Sequence, residues 1–452
     1  MKILIFLDHD VMIRHFVDSG VFNSLVNRHK VVFVFPEGHK RVTRNLSNLK
    51  LNTSFVSLSI NQKRSKIWKR LYQVSTLRFK LGRQSKALRI CHRAAIGWKA
   101  SIYYTILGIP GLFYFFKRSS LSRISKNKNK DFEELLSNEK PDLLIHPSVL
   151  EGLFINDLVM ESKDKEIPLI VIMNSWDNPS SKRAMIGEPD WMLVWGEQTR
   201  NHAIEYAKMD MNRAIIFGAA QFDVYKQLPK INRIDFCKIH EINHDKTILL
   251  YAGSSKGTDE YSHLVLIDEA IERGIFTNLA VVYRPHPWGN GGKGGERILK
   301  HSWKNVCIES TLITYLQQIS SGDESMSYPD YMDTHNVLSS VDIIVSPLST
   351  ILIEGALHGK PVLCFMPMEE VDARHFQLDL SFVHFQDMFN MKEFLIAKGS
   401  KELLPKIHEL IEKNQDLEFK NSLNEATRYF VESFETPYGE RLVNFCENLI
   451  DE

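Results

Sequence analysis

The chain has 452 residues, about three times the usual domain size, so at least two cores are expected and a single small module is excluded. Apolar residues at 44%, charged residues at 25%, 23 Gly and 16 Pro describe a globular chain, not a disordered, collagenous or membrane-spanning one. The net charge of +1 hides a segregation: Gly38 to Lys130 carries 22 Lys or Arg and no acid, leaving 34 basic against 55 acidic side chains for the other 359 residues.

The opening reads strand, helix, strand: KILIFL, a helical pattern from Val11 to Asn27, then VVFVF at 31–35. Continuous apolar strands in a βαβ order imply a parallel sheet covered on both faces. Met1 to Leu7 is too short an apolar run for a signal peptide and is followed by Asp8-His9-Asp10, so it is expected to be a buried first strand. The acid-free segment, about 38–130, is expected to be helices added onto the first domain, and its aromatics include Trp68, Tyr72, Trp98, Tyr103, Tyr104, Phe113, Tyr114 and Phe116. Its 17-residue uncharged stretch, Ala100 to Phe116, is broken by Gly108, Pro110 and Gly111, which suits an interfacial or buried segment better than a spanning helix. Strands DLLIHPS (142–148), PLIVIMNSW (168–176) and DWMLVWGE (190–197) follow, each ending in polar or small residues.

A polar stretch at 226–245 is expected to connect this half, residues 1–225, to a second α/β domain at 246–400. There KTILLYAGSS, LAVVYRPHP, VDIIVSPLST and KPVLCFM are the expected strands, with a Gly/Lys-rich loop at 289–295. Helices in 401–452 are expected to pack across the two domains. Five cysteines stand far apart, with no CxxC and no Cys/His pair at zinc spacing, which fits a reducing cytosol.

In open parallel sheets, ligands sit at the carboxyl ends of the strands, so polar strand ends are the candidate site residues. In SPLSTILIEGALHGKP (346–361), Ser349 and Thr350 can offer hydroxyls to a phosphate beside a helix start, and Glu354, one turn on, can accept from two ribose hydroxyls. The plainer alternative makes Ser349 or Thr350 a helix cap and Glu354 a surface residue. In YRPHPW (283–288), prolines fix the backbone around His286, and Arg284 stands two residues away, a pairing suited to phosphate. Gly253, Ser254 and Ser255, with Lys256, form a small-residue turn that admits a phosphate or simply joins strand to helix; it is neither a Walker A loop nor GxGxxG.

In the first half, one of Asp8, His9 and Asp10, Asp10 first and His9 next, can take the proton from an acceptor hydroxyl, with Arg14 one turn along, although Asp10 is well placed to cap the helix. The loop NSWDNPSSK (174–182) offers Trp176, Asp177, Asn178 and Lys182 to sugar hydroxyls, or else makes a turn held by Asp177 and Asn178. Glu37 to Arg41 and His146 to Ser148 are further polar strand ends. Lys and Arg around an aromatic, apolar hairpin suit an anionic membrane surface, or else form a merely solvated helical face; aromatics clustered in one patch, without a recognition motif, do not suit nucleic acid.

Taken in order, NSWDNPSSK, DWMLVWGEQTRNHA, IIFGAAQFDVY, YRPHP and SPLSTILIEGALHGKPVLCF resemble bacterial surface-polysaccharide glycosyltransferases of the GT-B fold. These are relatives of CDP-glycerol glycerophosphotransferases and of His-Pro-motif capsule sialyl- and Kdo-transferases. The resemblance spans about 140–370, and the first 40 residues more loosely. It implies two Rossmann-like α/β domains facing across a cleft, the first carrying the basic helical insert. It also implies a CMP-, CDP- or UDP-linked sugar held by the second domain, with His286, Ser349 and Thr350 at phosphate and Glu354 at ribose. No cofactor and no metal are implied, and no DxD motif is evident. The acceptor would be a surface glycan or lipid-linked glycan bound by the first domain, and the enzyme would be cytoplasmic, peripheral on the inner face of the membrane. The acid-acid-Gly motif of the sialyltransferases is matched only in part, by Glu151-Gly152. A nucleotide-sugar 2-epimerase and an inactive membrane-docked scaffold of the same fold are the alternatives.

Overall fold

The computed structural model describes residues 1–39, 41–42, 53–77, 97–99, 101–181, 185, 187–253, 258–286, 295–313, 330–369 and 380–451. They form two compact units: one of 1–221, 381–384 and 430–452, the other of 222–380 and 385–429.

The first unit is built on seven parallel strands: β1 Lys2–Phe6, β2 Lys30–Pro36, β3 Ser54–Leu58, β4 Leu143–Ser148, β5 Leu169–Met173, β6 Trp191–Val194 and β7 Ala214–Ile216. Their order is β3-β2-β1-β4-β5-β6-β7, with Leu4 opposite Val32 on one side and Leu144 on the other. Both faces are covered, which is why the central strands are apolar at every position: Ile3, Leu4, Ile5 and Phe6 are all fully buried. The second unit holds β8 Thr247–Ala252, β9 Leu279–Arg284, β10 Val306–Ile308, β11 Ile343–Ser346, β12 Val362–Met366 and β13 Leu395–Lys398, ordered β10-β9-β8-β11-β12-β13 and parallel throughout. In each sheet the order reverses once, between β1 and β4 and between β8 and β11. The carboxyl ends at those reversals are where an open α/β sheet leaves room for a ligand.

Four expectations change. The acid-free segment is not all helix: Ser54–Leu58 pairs with β2 as an edge strand, from Val32 opposite Ser54 to Pro36 opposite Leu58. The single helix expected over Val11 to Asn27 is broken, into Asp10–Met12 continuing as a π-helix Ile13–Asp18, and a separate Asn23–Arg28 helix. Gly20 between them has φ 75°, a left-handed conformation that no helix continues through. The expected linker contains the Arg233–Ile239 helix and counts wholly with the second unit, as does Tyr225. The last helices divide: Ser400–Gln415 and Leu417–Arg428 belong to the second unit. Tyr438–Asp451 belongs to the first, where Tyr438, Leu442 and Cys446, four residues apart, join the core around Phe22 and Leu25.

The insert is pinned to the first unit. Its Gln62–Leu77 helix buries Trp68, Leu71 and Val74 against Phe113 and Ile124 of the Pro110–Lys126 helix. Arg64 pairs with Asp157 and donates to the Ile124 carbonyl at 2.8 Å, so one buried guanidinium ties both insert helices to the Ile155–Asp164 helix.

Candidate functional site

At the reversal of the first sheet, β1 runs into Asp8, which is fully buried. Its Oδ2 accepts from the Leu153 backbone N–H at 2.6 Å. A Cβ on Gly152, whose φ is 154°, would lie 2.2 Å from that oxygen, so only glycine lets the loop close on the carboxylate. Across the reversal, His146 donates from Nδ1 to the Phe6 carbonyl at 2.8 Å, which leaves Nε2 as its lone-pair nitrogen. Among the described residues neither His146 Nε2 nor Asp8 Oδ1 has a partner, although both are buried. Burial lowers the His146 pKa against the opposing pull of the Asp8 carboxylate. His15 lies nearby in the π-helix, bonded to Asn174 at the end of β5; burial, then Arg14, hold it down at about 3.

The pair expected to supply a base divides by tautomer. His9, not Asp10, caps the Asp10–Met12 helix, and its Nδ1 accepts from the Val11 N–H at 3.1 Å. A neutral imidazole that accepts at Nδ1 carries its proton on Nε2, so capping makes His9 a donor at that nitrogen. Asp10 is largely buried, and its backbone N–H donates to the Arg41 carbonyl at 2.9 Å. Arg14 is half-buried, four residues along.

The loop after β5 takes the form of a turn. Asn178 Oδ1 accepts from the Ser175 N–H at 2.8 Å, and Asp177 accepts from Asn178 Nδ2 at 3.1 Å and from Ser181 Oγ at 2.8 Å. Trp176 is buried edge-on to His384 and Phe430, with ring centroids 4.9 and 5.6 Å away, so its ring serves the core and is not a platform for sugar. Lys182 lies outside the described residues.

In the second unit, β8 leads into Gly253, where a Cβ would fall 2.5 Å from Glu260 Oε2; the fully buried Glu260 also accepts from the Tyr283 hydroxyl. Ser254, Ser255 and Lys256 lie outside the described residues, as do Pro287, Trp288 and most of the Gly/Lys-rich loop. Across the reversal, β11 ends in Ser346, whose buried hydroxyl has no partner among the described residues. Thr350 stands at the N-cap of the Ile351–Leu357 helix, yet its side chain makes no capping bond, so the cap reading does not account for the hydroxyl. Ser349 and Thr350 are both half-buried.

Glu354 is half-buried on that helix and accepts from the Tyr225 hydroxyl. Tyr225 in turn packs edge-on to His358 at 4.5 Å. His358 donates from Nδ1 to the Glu354 carbonyl at 2.7 Å and meets His335 Nδ1 at 2.8 Å through Nε2; burial lowers its pKa to about 4. Glu354 is therefore a positioned carboxylate, not a loose surface residue. His286 sits half-buried just past β9. Arg284 is buried, donates to Thr334 Oγ1 at 3.0 Å and lies 3.9 Å from Glu309, so the guanidinium expected at phosphate is engaged within the unit.

Sequence reasoning favoured Asp10 and His9 over Asp8, met Gly152 only as part of a partial motif match, and passed over His15. Asp8 carried a faint signal, an acid at the end of an apolar strand; the role of Gly152 depends on a contact 145 residues distant, between Asp8 and Leu153. Among the described residues, no group of three or more His, Cys, Asp or Glu is arranged to hold a metal ion.

Two doubly wound parallel sheets, each with a polar constellation at its reversal, define a GT-B α/β protein. No family model matches the sequence, and no curated protein does. Solved structures do match. A putative UDP-N-acetylglucosamine 2-epimerase from Listeria monocytogenes gives a TM-score of 0.56 at 10% identity, over 99% of this chain and 96% of its own. The UDP-GlcNAc 2-epimerase from Neisseria meningitidis, bound to UDP-GlcNAc, gives 0.51 at 14% identity over 100% of both chains. A variant of the wall teichoic acid polymerase TagF gives 0.51 at 10% identity, over 100% of this chain and 89% of its own. At such identities the likeness is one of fold.

Proposed function

We propose that the protein is a glycosyltransferase that moves a sugar from a nucleotide-activated donor to a hydroxyl of a surface-glycan or lipid-linked acceptor. The observation that carries this reading is the reversal of the second sheet, where Gly253 after β8, the hydroxyl of Ser346 without a partner among the described residues, the hydroxyl of Thr350 without a capping bond and the positioned carboxylate of Glu354 stand at or just past the strand ends. Backbone amides and hydroxyls suit phosphate, and a carboxylate at Glu354 suits the paired hydroxyls of a ribose. Solved structures of the same fold include one bound to UDP-GlcNAc, which agrees with a nucleotide sugar as donor.

In the reaction proposed, Asp10 takes the proton of the acceptor hydroxyl, the oxygen attacks the anomeric carbon, and the bond from that carbon to the donor phosphate oxygen breaks. The departing nucleotide carries the charge, which His286 and the hydroxyls of Ser349 and Thr350 stabilise by donating hydrogen bonds. Arg284, engaged with Thr334 and Glu309, supports the strand end from within the unit.

The test begins with thermal stabilisation by UDP, CMP and CDP, since a ligand at 100 times its dissociation constant adds about 2.7 kcal/mol. The nucleotide that stabilises is then supplied as its sugar conjugates, with and without glycan acceptors. Acceptor-dependent release of nucleotide is expected. Epimer formation without an acceptor would replace this reading with a 2-epimerase, and no stabilisation by any nucleotide would leave a scaffold.

A further inference from the structure

The insert has two faces of opposite character. Its inner face is packed protein, with Phe113 and Ile124 against Trp68, Leu71 and Val74. Its outer face, over residues 98–115, presents Trp98 at 70% exposure, Ile102 at 55%, Ile106 at 49%, Ile109 at 53%, Tyr114 at 60% and Phe115 at 69%. Large apolar side chains at that exposure, following one another along the helical segment 101–107 and the packed Pro110–Lys126 helix, mark a contact surface, whereas scattered exposed apolar residues are ordinary.

The rim identifies the partner. Lys99, Lys117, Arg118, Arg123 and Lys126 are exposed around the apolar residues, and no acid occurs anywhere between Gly38 and Lys130. We infer that this face seats the first unit on an anionic lipid bilayer, with the side chains of 98–115 entering the acyl boundary and the basic rim lying among the headgroups. Tyr and Trp with apolar bodies and polar tips belong at that depth, and Lys and Arg can extend outward from it. The helix from Pro110 cannot be encircled by lipid, because its other face is buried in protein; the contact is therefore with one leaflet. A second copy of the chain would bring one basic rim against another, which opposes self-pairing. The exposed aromatics Trp98, Tyr114 and Phe115 share one patch with isoleucines and are not spaced as stacking platforms for successive bases.

The Gln62–Leu77 helix follows the carboxyl end of β3, and Arg64 meets Asp157 shortly after the loop that closes on Asp8. The insert is thus anchored to the first unit at the pair of Arg64 with Asp157, which lies a few residues from the loop of the polar constellation. The inference does not depend on the proposed transfer reaction, because it is tested by binding alone.

The test is flotation of the full chain with vesicles of phosphatidylcholine, or of equal parts phosphatidylcholine and phosphatidylglycerol, at low and high salt. Binding to the mixed vesicles that weakens with salt is expected, with little binding to phosphatidylcholine alone. Replacing Tyr114 and Phe115 by Ser should lower the partition by roughly tenfold or more, and Lys117→Ser or Arg118→Ser by about fivefold each. These side chains are exposed, so the thermal midpoint should stay unchanged and separate lost binding from lost fold. Equal binding to both vesicle types, or binding that neither set of replacements reduces, would overturn the inference. Self-association without lipid, abolished by the Tyr114 and Phe115 replacements in a chain that ignores vesicles, would assign the face to a second copy and overturn it equally.

Discussion

Arg64 and Asp157 form a buried ion pair between a helix of the basic insert and the helix that follows β4. Their side chains lie 93 residues apart in sequence and are nearly inaccessible to water. Removing one partner leaves a buried charge, whereas removing both leaves apolar packing. Arg64→Met is therefore expected to destabilise the protein by about 3 kcal/mol in urea unfolding, with Asp157→Leu in the same chain recovering most of the loss. A double variant no better than Arg64→Met alone would mean that the bonds to backbone, such as that to the Ile124 carbonyl, matter more than the pair.

The tautomer of His9 separates two neighbouring candidates. Asn retains a side-chain oxygen for the Val11 N–H, so His9→Asn should keep the cap and cost little stability. Asp10→Asn removes the proton acceptor and should lower acceptor-dependent turnover by about 10²- to 10⁴-fold with unchanged nucleotide binding. If the two variants lose turnover equally, the base is not assigned by capping.

Glu354 holds the Tyr225 hydroxyl on one oxygen, so under the proposed ribose contact the two residues should affect nucleotide affinity in different ways. Glu354→Ala removes charge-assisted bonds of about 1.5–3 kcal/mol each and should weaken nucleotide binding by roughly ten- to a hundredfold. Tyr225→Phe leaves the carboxylate in place and should weaken it by much less. Calorimetric titration with the stabilising nucleotide reads both, and an unaltered affinity in Glu354→Ala would remove this residue from the ribose.

Central strands were legible because burial on both faces makes them apolar without interruption, as in Lys2–Phe6 or Leu169–Met173. The edge strand Ser54–Leu58 was hidden for the converse reason: it is largely exposed, and its serines look like loop. At the sites, the local setting of Glu354 on its helix and of Asp10 after its strand could be read from sequence neighbours. Residues whose surroundings come from afar were misjudged: Trp176 is a core side chain only because His384 and Phe430 return to cover it. Arg284 likewise looked available for phosphate until Thr334 and Glu309 were seen to hold it. Local chemistry can be read from neighbours in sequence; burial by distant segments cannot.

The last prediction concerns acid. Burial, with Arg14 and His9 adding repulsion, holds His15 at about 3 in the folded protein against 6.5 as the ordinary value, while its bond to Asn174 opposes this. Above pH 6.5 the imidazole is neutral whether folded or unfolded and contributes no pH dependence. Between 6.5 and about 3 only the unfolded chain takes up the proton, so stability falls with pH by about 1.4 kcal/mol per unit from this residue. His146 and His358, also lowered by burial, add to the slope in the same direction. His15→Gln keeps a side chain that can bond Asn174 but cannot titrate, so urea unfolding should show a correspondingly shallower loss of stability. The informative window is pH 6.5 to 5, above the range in which ordinary carboxylates protonate. A slope there equal to that of the wild-type chain would mean that His15 gains its proton in the folded state, and would place it among the hydrated groups of the first unit's polar edge.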